Sequence, residues 1–149
     1  MPHWLINTGI LFAAFIGMEI FSGFFHKYVM HGILWRIHRT HHVHGKGFFE
    51  WNDIFSLTFG AIATVLFVTG LEGLDARFWA GCGIMCYGAV YFIVHDIFIH
   101  RRLKWIERSN NRYLQALRRA HKAHHAYTES NPGEEYGLLW IGKKYREKL

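Results

Sequence analysis

Three stretches of this chain are long and apolar enough to cross a bilayer. Residues 4–25 form a 22-residue apolar run broken only by Glu19, residues 54–71 give 18 uncharged positions, and residues 78–94 give 17, with apolar character resuming at 97–99. Such runs are read as membrane helices, since a span of about 30 Å of hydrocarbon needs about 20 helical residues. The first run is expected to extend toward His31, with Gly32 as its stop. It is too long for a cleaved leader and lacks a basic n-region and a small-residue cleavage site, so it reads as a retained anchor. Gly70, Gly73 and the acidic residues near them mark the turn of an antiparallel hairpin between the second and third runs. The remaining segments are polar. Residues 36–44 predict a short interfacial helix, and residues 112–126 a helix of good formers. Residues 45–47 predict a turn, and Ser130-Asn131-Pro132-Gly133 a breaker. The tail from 136 to 149 alternates apolar and basic positions and is expected to lie along the membrane surface. The expected fold class is all-α: an integral membrane helical bundle of three to four transmembrane helices, one domain over residues 1–149.

Charge adds an orientation. Of the 17 Lys and Arg, four lie between Lys27 and Lys46 and twelve from Arg101 onward, with only Arg77 in the hairpin turn. Both basic regions then emerge on one side, which the positive-inside rule makes cytoplasmic. Simple topology accounts for most of this charge, and docking of an acidic redox partner or anionic lipid is a further use of it. Cys82 and Cys86, four residues apart inside an apolar run, fit neither a disulfide framework nor a zinc ribbon and read as buried small hydrophobes.

The candidate chemistry lies in the histidines. Ten of the twelve follow one pattern written twice: His26-x4-His31 then His38-x2-His41-His42, and His95-x4-His100 then His121-x2-His124-His125. Imidazole is the commonest protein ligand for transition metals, and ten suffice for two ions. The repeated order points to two half-sites built by the two halves of the chain. Within each triplet the spacings are i, i+3 and i+4, so three imidazoles share one helix face. The His-x4-His pairs do not. Residues five apart on an α-helix diverge by about 140°. Either a π-bulge or helix end intervenes, or the two histidines address different parts of a dinuclear site; the second reading is preferred. Nitrogen-rich sites suit zinc, iron, copper or nickel, and spacing does not choose among them. His3 reads as terminal, and His44 as a surface residue or a partner of a ligand.

Four polar residues are candidates to support such ligands: Glu19, Asn52, Asp53 and Asp96. A carboxylate inside a span is costly and functional by default. Glu19 lies seven residues before His26, on the same face, and is expected to accept a hydrogen bond from a ligand imidazole. Asp96 directly follows His95, so it points elsewhere and reads as a cap or a supporting residue.

The segments Met18-Glu19, HKYVMHG from His26, HRTHH from His38, FEWND from Phe49, YFIVHDIFIHRR from Tyr91, AHKAHHA from Ala120 and EYGLLW from Glu135 resemble the membrane fatty acid hydroxylase and sterol desaturase superfamily. FEWND and HDIFIH are similar, more narrowly, to its bacterial β-carotene 3-hydroxylase branch. The resemblance covers residues 18–140. It implies a non-heme di-iron monooxygenase that uses O2 and electrons from a reduced ferredoxin-type donor. It implies conversion of β-carotene through β-cryptoxanthin to zeaxanthin in the bacterial inner membrane, with the irons at the cytoplasmic face. Zinc is a possible substitute in purified protein. Phe21, Phe24, Phe25, Phe55, Phe59, Tyr87, Tyr91 and Phe92 are candidates to line the path of a long apolar substrate, or else ordinary packing. The rival readings are a hydroxylase for another lipid, fatty acyl or sterol, and a membrane metal-binding or transport protein.

Overall fold

The computed structural model describes residues 2–43, 47–106, 108–131 and 134–147. It is all-helical among these, with no strand. The elements are α1 (His3–Phe25), α2 (Trp35–His42), α3 (Asp53–Gly70), α4 (Ala76–Tyr91), α5 (Arg112–His125) and the short α6 (Lys143–Arg146). Two π-helical segments are appended: His26–Ile33 continues α1, and Phe92–Ile99 continues α4. Three helical rods are long and apolar enough to cross a membrane: His3–Ile33, Asp53–Gly70 and Ala76–Ile99. The 18 residues of α3 reach about 27 Å, close to the hydrocarbon thickness.

The spans pack around α4, which lies against both α1 and α3. Glycines permit the close approach. A Cβ on Gly81 would sit 2.7 Å from the Phe67 nitrogen on α3, and one on Gly83 would sit 2.8 Å from the Ala14 side chain on α1. Small residues at such contacts let helix backbones meet where lipid removes the hydrophobic drive for association. Between α1 and α3 the contact is aromatic. Phe25 meets Phe55 at 5.7 Å and Phe59 at 5.4 Å, and Phe21 meets Phe59 at 5.6 Å, all edge-to-face. The lipid-side hydroxyls of Thr58, Thr64 and Thr69 each donate to the carbonyl four residues back, so none needs water. Cys86 is exposed on this surface, where a buried position was expected, and Cys82 is half-buried.

At the hairpin turn, Asp75 caps α4 by accepting from the Arg77 backbone N–H at 2.9 Å. At the opposite end the π segments, α2 and α5 gather. Gly32, at φ −98° and ψ −115°, leaves helical geometry and turns the chain into α2. Asn111 caps α5 through the Leu114 N–H at 3.0 Å. The buried face of α5, with Ala116, Leu117 and Ala120, packs on Val94, Phe98 and Ile99 of the second π segment. Leu138 and Ile141 complete this core. The tail is therefore fastened to the bundle by these two apolar anchors, which bury against α5. The turn expected at 45–47 and the breaker at 130–133 fall partly on residues outside those described, as does His44.

Candidate metal centre

The ten patterned histidines meet at the end of the bundle where the π segments lie. His26, His31, His38, His42 and His124 form one group, and His41, His100, His121 and His125 a second, with the ring nitrogens inside each group within 4.8 Å of one another. His95 adjoins the second group, its Nε2 lying 3.2 Å from His41 Nε2 and its ring 4.5 Å from that of His100. The groups touch: the rings of His42 and His125 stack at 4.2 Å.

Local structure explains these positions, and corrects two expectations. The preferred reading, that each His-x4-His pair serves two places, does not hold for the pair His26 and His31, which sits in one group. The first pair lies within a π-helical segment and the second runs from within one to its C-cap, and i→i+5 hydrogen bonds bring residues five apart onto one face. The His100 N–H closes such a turn on the His95 carbonyl at 2.9 Å. The second correction concerns the half-sites. Counting His95 with the second group, each takes four histidines from its own half of the chain and one from the other, His124 in the first and His41 in the second. An i+3 step rotates a helix by about 300°, an i+4 step by about 400°, so the middle histidine of each triplet is aimed to one side of its partners.

Ring orientation is set by acceptors that accept only. Nδ1–H donates to the carbonyl of Tyr136 from His26 (2.8 Å), of Ser130 from His31 (2.9 Å), of Tyr127 from His42 (3.0 Å) and of Glu134 from His124 (3.0 Å). His41 donates to Glu50 Oε2 at 2.8 Å, His95 to Asp96 Oδ1 at 2.7 Å, and His38 to Asn52 Oδ1 at 2.7 Å. A neutral imidazole with its proton on Nδ1 presents a lone pair at Nε2. Those lone pairs face each other: His26 and His38 at 2.9 Å, His31 and His124 at 3.1 Å, His38 and His42 at 3.2 Å. No hydrogen is left to sit between them. Protonation does not resolve the conflict either, since burial pushes His38 and His124 down to about 3. Burial, joined by the neighbouring imidazoles, holds His41, His121 and His125 well below the usual histidine range. A shell of buried, neutral, converging Nε2 atoms is the donor set that a cation requires, and it fits transition-metal ions.

The supporting candidates divide. Asn52 and Asp96 hold His38 and His95 directly. Asp53 does not touch a histidine; it accepts from the Glu50 N–H at 3.0 Å and pairs with Arg102 at 2.7 Å. Glu19 does not face His26 either. Its Oε1 accepts from the N–H groups of Leu138, Leu139 and Trp140, and its Oε2 from the Tyr87 hydroxyl. His3 is exposed at the far end of α1. Two contributors were not foreseen. Glu50 orients His41, and Arg102 bridges Glu50 and Asp53. Burial disfavours the Arg102 cation, but the Asp53 hydrogen bond and the charges of Asp96 and Glu50 outweigh it and raise its pKa. The ring of Tyr91 stacks on His95 at 4.4 Å.

A cavity of about 420 Å³ runs from the membrane-embedded part of the bundle to these histidines. Its lipid-side wall is apolar, with Met18, Phe25, Phe55, Phe59 and Phe92, and its inner end carries His26, His38, His41, His95 and His121. Six of the eight aromatic candidates line it; Phe21 and Phe24 stack instead on Phe25 and Tyr28.

Comparison with known proteins adds the following. The family model described as fatty acid hydroxylase matches residues 11–141. The chain is 39% identical over 141 residues to a beta-carotene hydroxylase of Pseudescherichia vulneris, covering 93% of this chain and 79% of that one. It is 38% identical over 139 residues to a beta-carotene hydroxylase of Pantoea ananas, covering 92% and 78%. A chloroplastic beta-carotene 3-hydroxylase of Arabidopsis thaliana is 36% identical over 140 residues, covering 91% of this chain and 45% of the relative. No solved structure matches the chain.

Proposed function

The chain belongs to the fatty acid hydroxylase family, and from that premise we infer that it hydroxylates the β-ring of a carotenoid. The observation that carries this reading is the apolar cavity ending on two groups of converging imidazoles. A substrate drawn from lipid and a redox metal centre meet there and nowhere else among the described residues. The reading taken furthest is 3-hydroxylation of β-carotene through β-cryptoxanthin to zeaxanthin.

His26, His31, His38, His42 and His124 would hold one iron, and His41, His95, His100, His121 and His125 the other. When bound, the irons supply activation of O2 and oxidation of an unactivated C–H bond, with electrons from a reduced ferredoxin-type donor. The chain's own residues do the rest. Asn52, Glu50, Asp96 and the four backbone carbonyls lock seven of the ten imidazoles with Nε2 inward, so most of the site is set before any ligand arrives. Phe25, Phe55 and Phe59 give a β-ring an apolar seat and keep water from the reacting carbon. The cavity is too small for a whole carotenoid, so the polyene would extend into the bilayer. By the clustering of basic residues, the metal end would face the cytoplasm of a bacterial inner membrane.

A metal transporter would place its ligands along a path through the spans, whereas here they collect at one end. Expression in a host that accumulates β-carotene, with pigments resolved by chromatography and mass, tests the proposal. Products one and two oxygens heavier, co-eluting with cryptoxanthin and zeaxanthin, are expected. Unchanged β-carotene beside iron-loaded protein would return the question to acyl or sterol substrates.

A further inference from the structure

Glu19 is the sole acidic residue of α1, and its neighbours are unusual for a carboxylate in a membrane span. One oxygen accepts three consecutive backbone N–H groups, from Leu138 at 3.1 Å, Leu139 at 2.8 Å and Trp140 at 2.8 Å. The other accepts the Tyr87 hydroxyl at 2.9 Å, and Tyr87 is bridged to Ser22 at 2.7 Å. The seat is tight. A Cβ on Gly137 would lie 3.1 Å from Glu19 Oε1 and 3.0 Å from the Trp140 carbonyl, and one on Gly23 would meet the Gly137 backbone at 3.7 Å. An α1 side chain thus fastens a segment about 120 residues away in sequence.

That segment has a second property. The strap after α5 supplies the carbonyls of Tyr127, Ser130, Glu134 and Tyr136, which take the Nδ1–H of His42, His31, His124 and His26. These are four of the five histidines of the first group. His41 and His95 of the second group take their acceptors from the side chains of Glu50 and Asp96 instead. Backbone carbonyls are good orienting groups only while the backbone that carries them is held.

We propose that Glu19 is a positioning residue for the first group alone: by clamping the strap from inside the membrane span, it fixes the carbonyls that orient those imidazoles. The inference rests on reading the two groups as metal sites. It differs from a direct contact between Glu19 and an imidazole, which the structure does not have. It also differs from a general structural role, because the strap keeps two other anchors. Leu138 and Ile141 are buried in the α5 core, and the Tyr113 hydroxyl donates to the Leu139 carbonyl at 2.5 Å.

The test counts cobalt(II) on the full chain in detergent, with no turnover required. The unaltered chain is expected to hold two ions and Glu19→Leu one. Adding His124→Ala to Glu19→Leu should leave that one ion in place, and adding His121→Ala should remove it. Two ions on Glu19→Leu, or loss from the second group, would overturn the proposal. Should Glu19→Leu fail to fold, Glu19→Gln decides: it keeps a carbonyl oxygen and loses the charge. It is expected to hold both ions but to surrender one to a chelator about tenfold faster than the unaltered chain, with a changed d–d band for that ion. Release of both ions at the unaltered rates would equally overturn it. Absence of any bound cobalt on the unaltered chain would sink the metal reading itself, before any Glu19 variant is compared.

Discussion

His41 and His124 hold the same place in the two triplets, and each leaves its own half of the chain to join the other group. His41 Nε2 lies 3.2 Å from His95 Nε2, and His124 Nε2 lies 3.1 Å from His31 Nε2. Both are among the most deeply buried side chains, 1% and 0% exposed. The exchange makes the centre one object instead of two adjacent ones.

This crossing predicts which ion each variant loses. His41→Ala should weaken metal held with His95, His100, His121 and His125, although it lies in α2 beside His38 and His42. His124→Ala should weaken the other. Each is expected to abolish turnover, at least a hundredfold. Metal counts on the single variants and on the double variant check it: the double should lose both ions, and a pattern following position in sequence would refute the crossing.

Asn52 offers a milder perturbation. It is buried, lies outside any ligand group, and accepts from His38 Nδ1–H at 2.7 Å. Removing an orienting partner of a ligand commonly costs 10–100-fold in affinity or activity. Asn52→Ala is expected to fall in about that range, and Asn52→Asp, which keeps an acceptor, to do better. Equal losses in the two would assign Asn52 to packing.

Gly60 separates access from chemistry. It lines the cavity, and a Cβ there would meet nothing within 4 Å, so a side chain would project into the open space without moving backbone. Gly60→Leu should hold its full metal complement yet lose about tenfold or more in kcat/KM for a β-ring substrate, since a filled seat excludes the ring. Unchanged turnover would mean that the substrate reaches the histidines by another route.

Acid should destabilise the metal-free protein in a defined window. His38 and His124 are pushed down to about 3 by burial, so the unfolded chain, titrating near 6.5, binds more protons than the folded one between those limits. Stability is therefore present above about pH 6.5 and is lost as pH falls toward 3, by about 1.4 kcal/mol per pH unit for each group at the steepest. Thermal unfolding in detergent from pH 8 to 4 should show a plateau, then a decline. His38→Asn should flatten that decline; the same slope in the variant would exclude His38 as a source.

The doubled pattern made the ten histidines legible, because side chains that converge on one point must be spaced to do so. The orienting groups were less so. Four of them are backbone carbonyls, which no residue type announces, and Glu50 is a single carboxylate in a loop with nothing periodic around it. Glu19 stands out as a carboxylate inside a span, yet the seven-residue spacing to His26 points to a neighbour on the same helix, and the real partners arrive from the strap. The π turns were open only as an alternative, since the sequence shows a spacing of five and not the hydrogen bonds that accommodate it.

The traded histidines also bear on how the molecule is made. His42 and His124 are 82 residues apart, yet belong to one group. A chain synthesised through α4 has all three spans in the bilayer and neither group complete. Both wait on α5, the last of the helices that carry the patterned histidines. Metal captured there would tie α1 and α2 to α5, closing long loops at the moment of loading, so that assembly and charging become a single event.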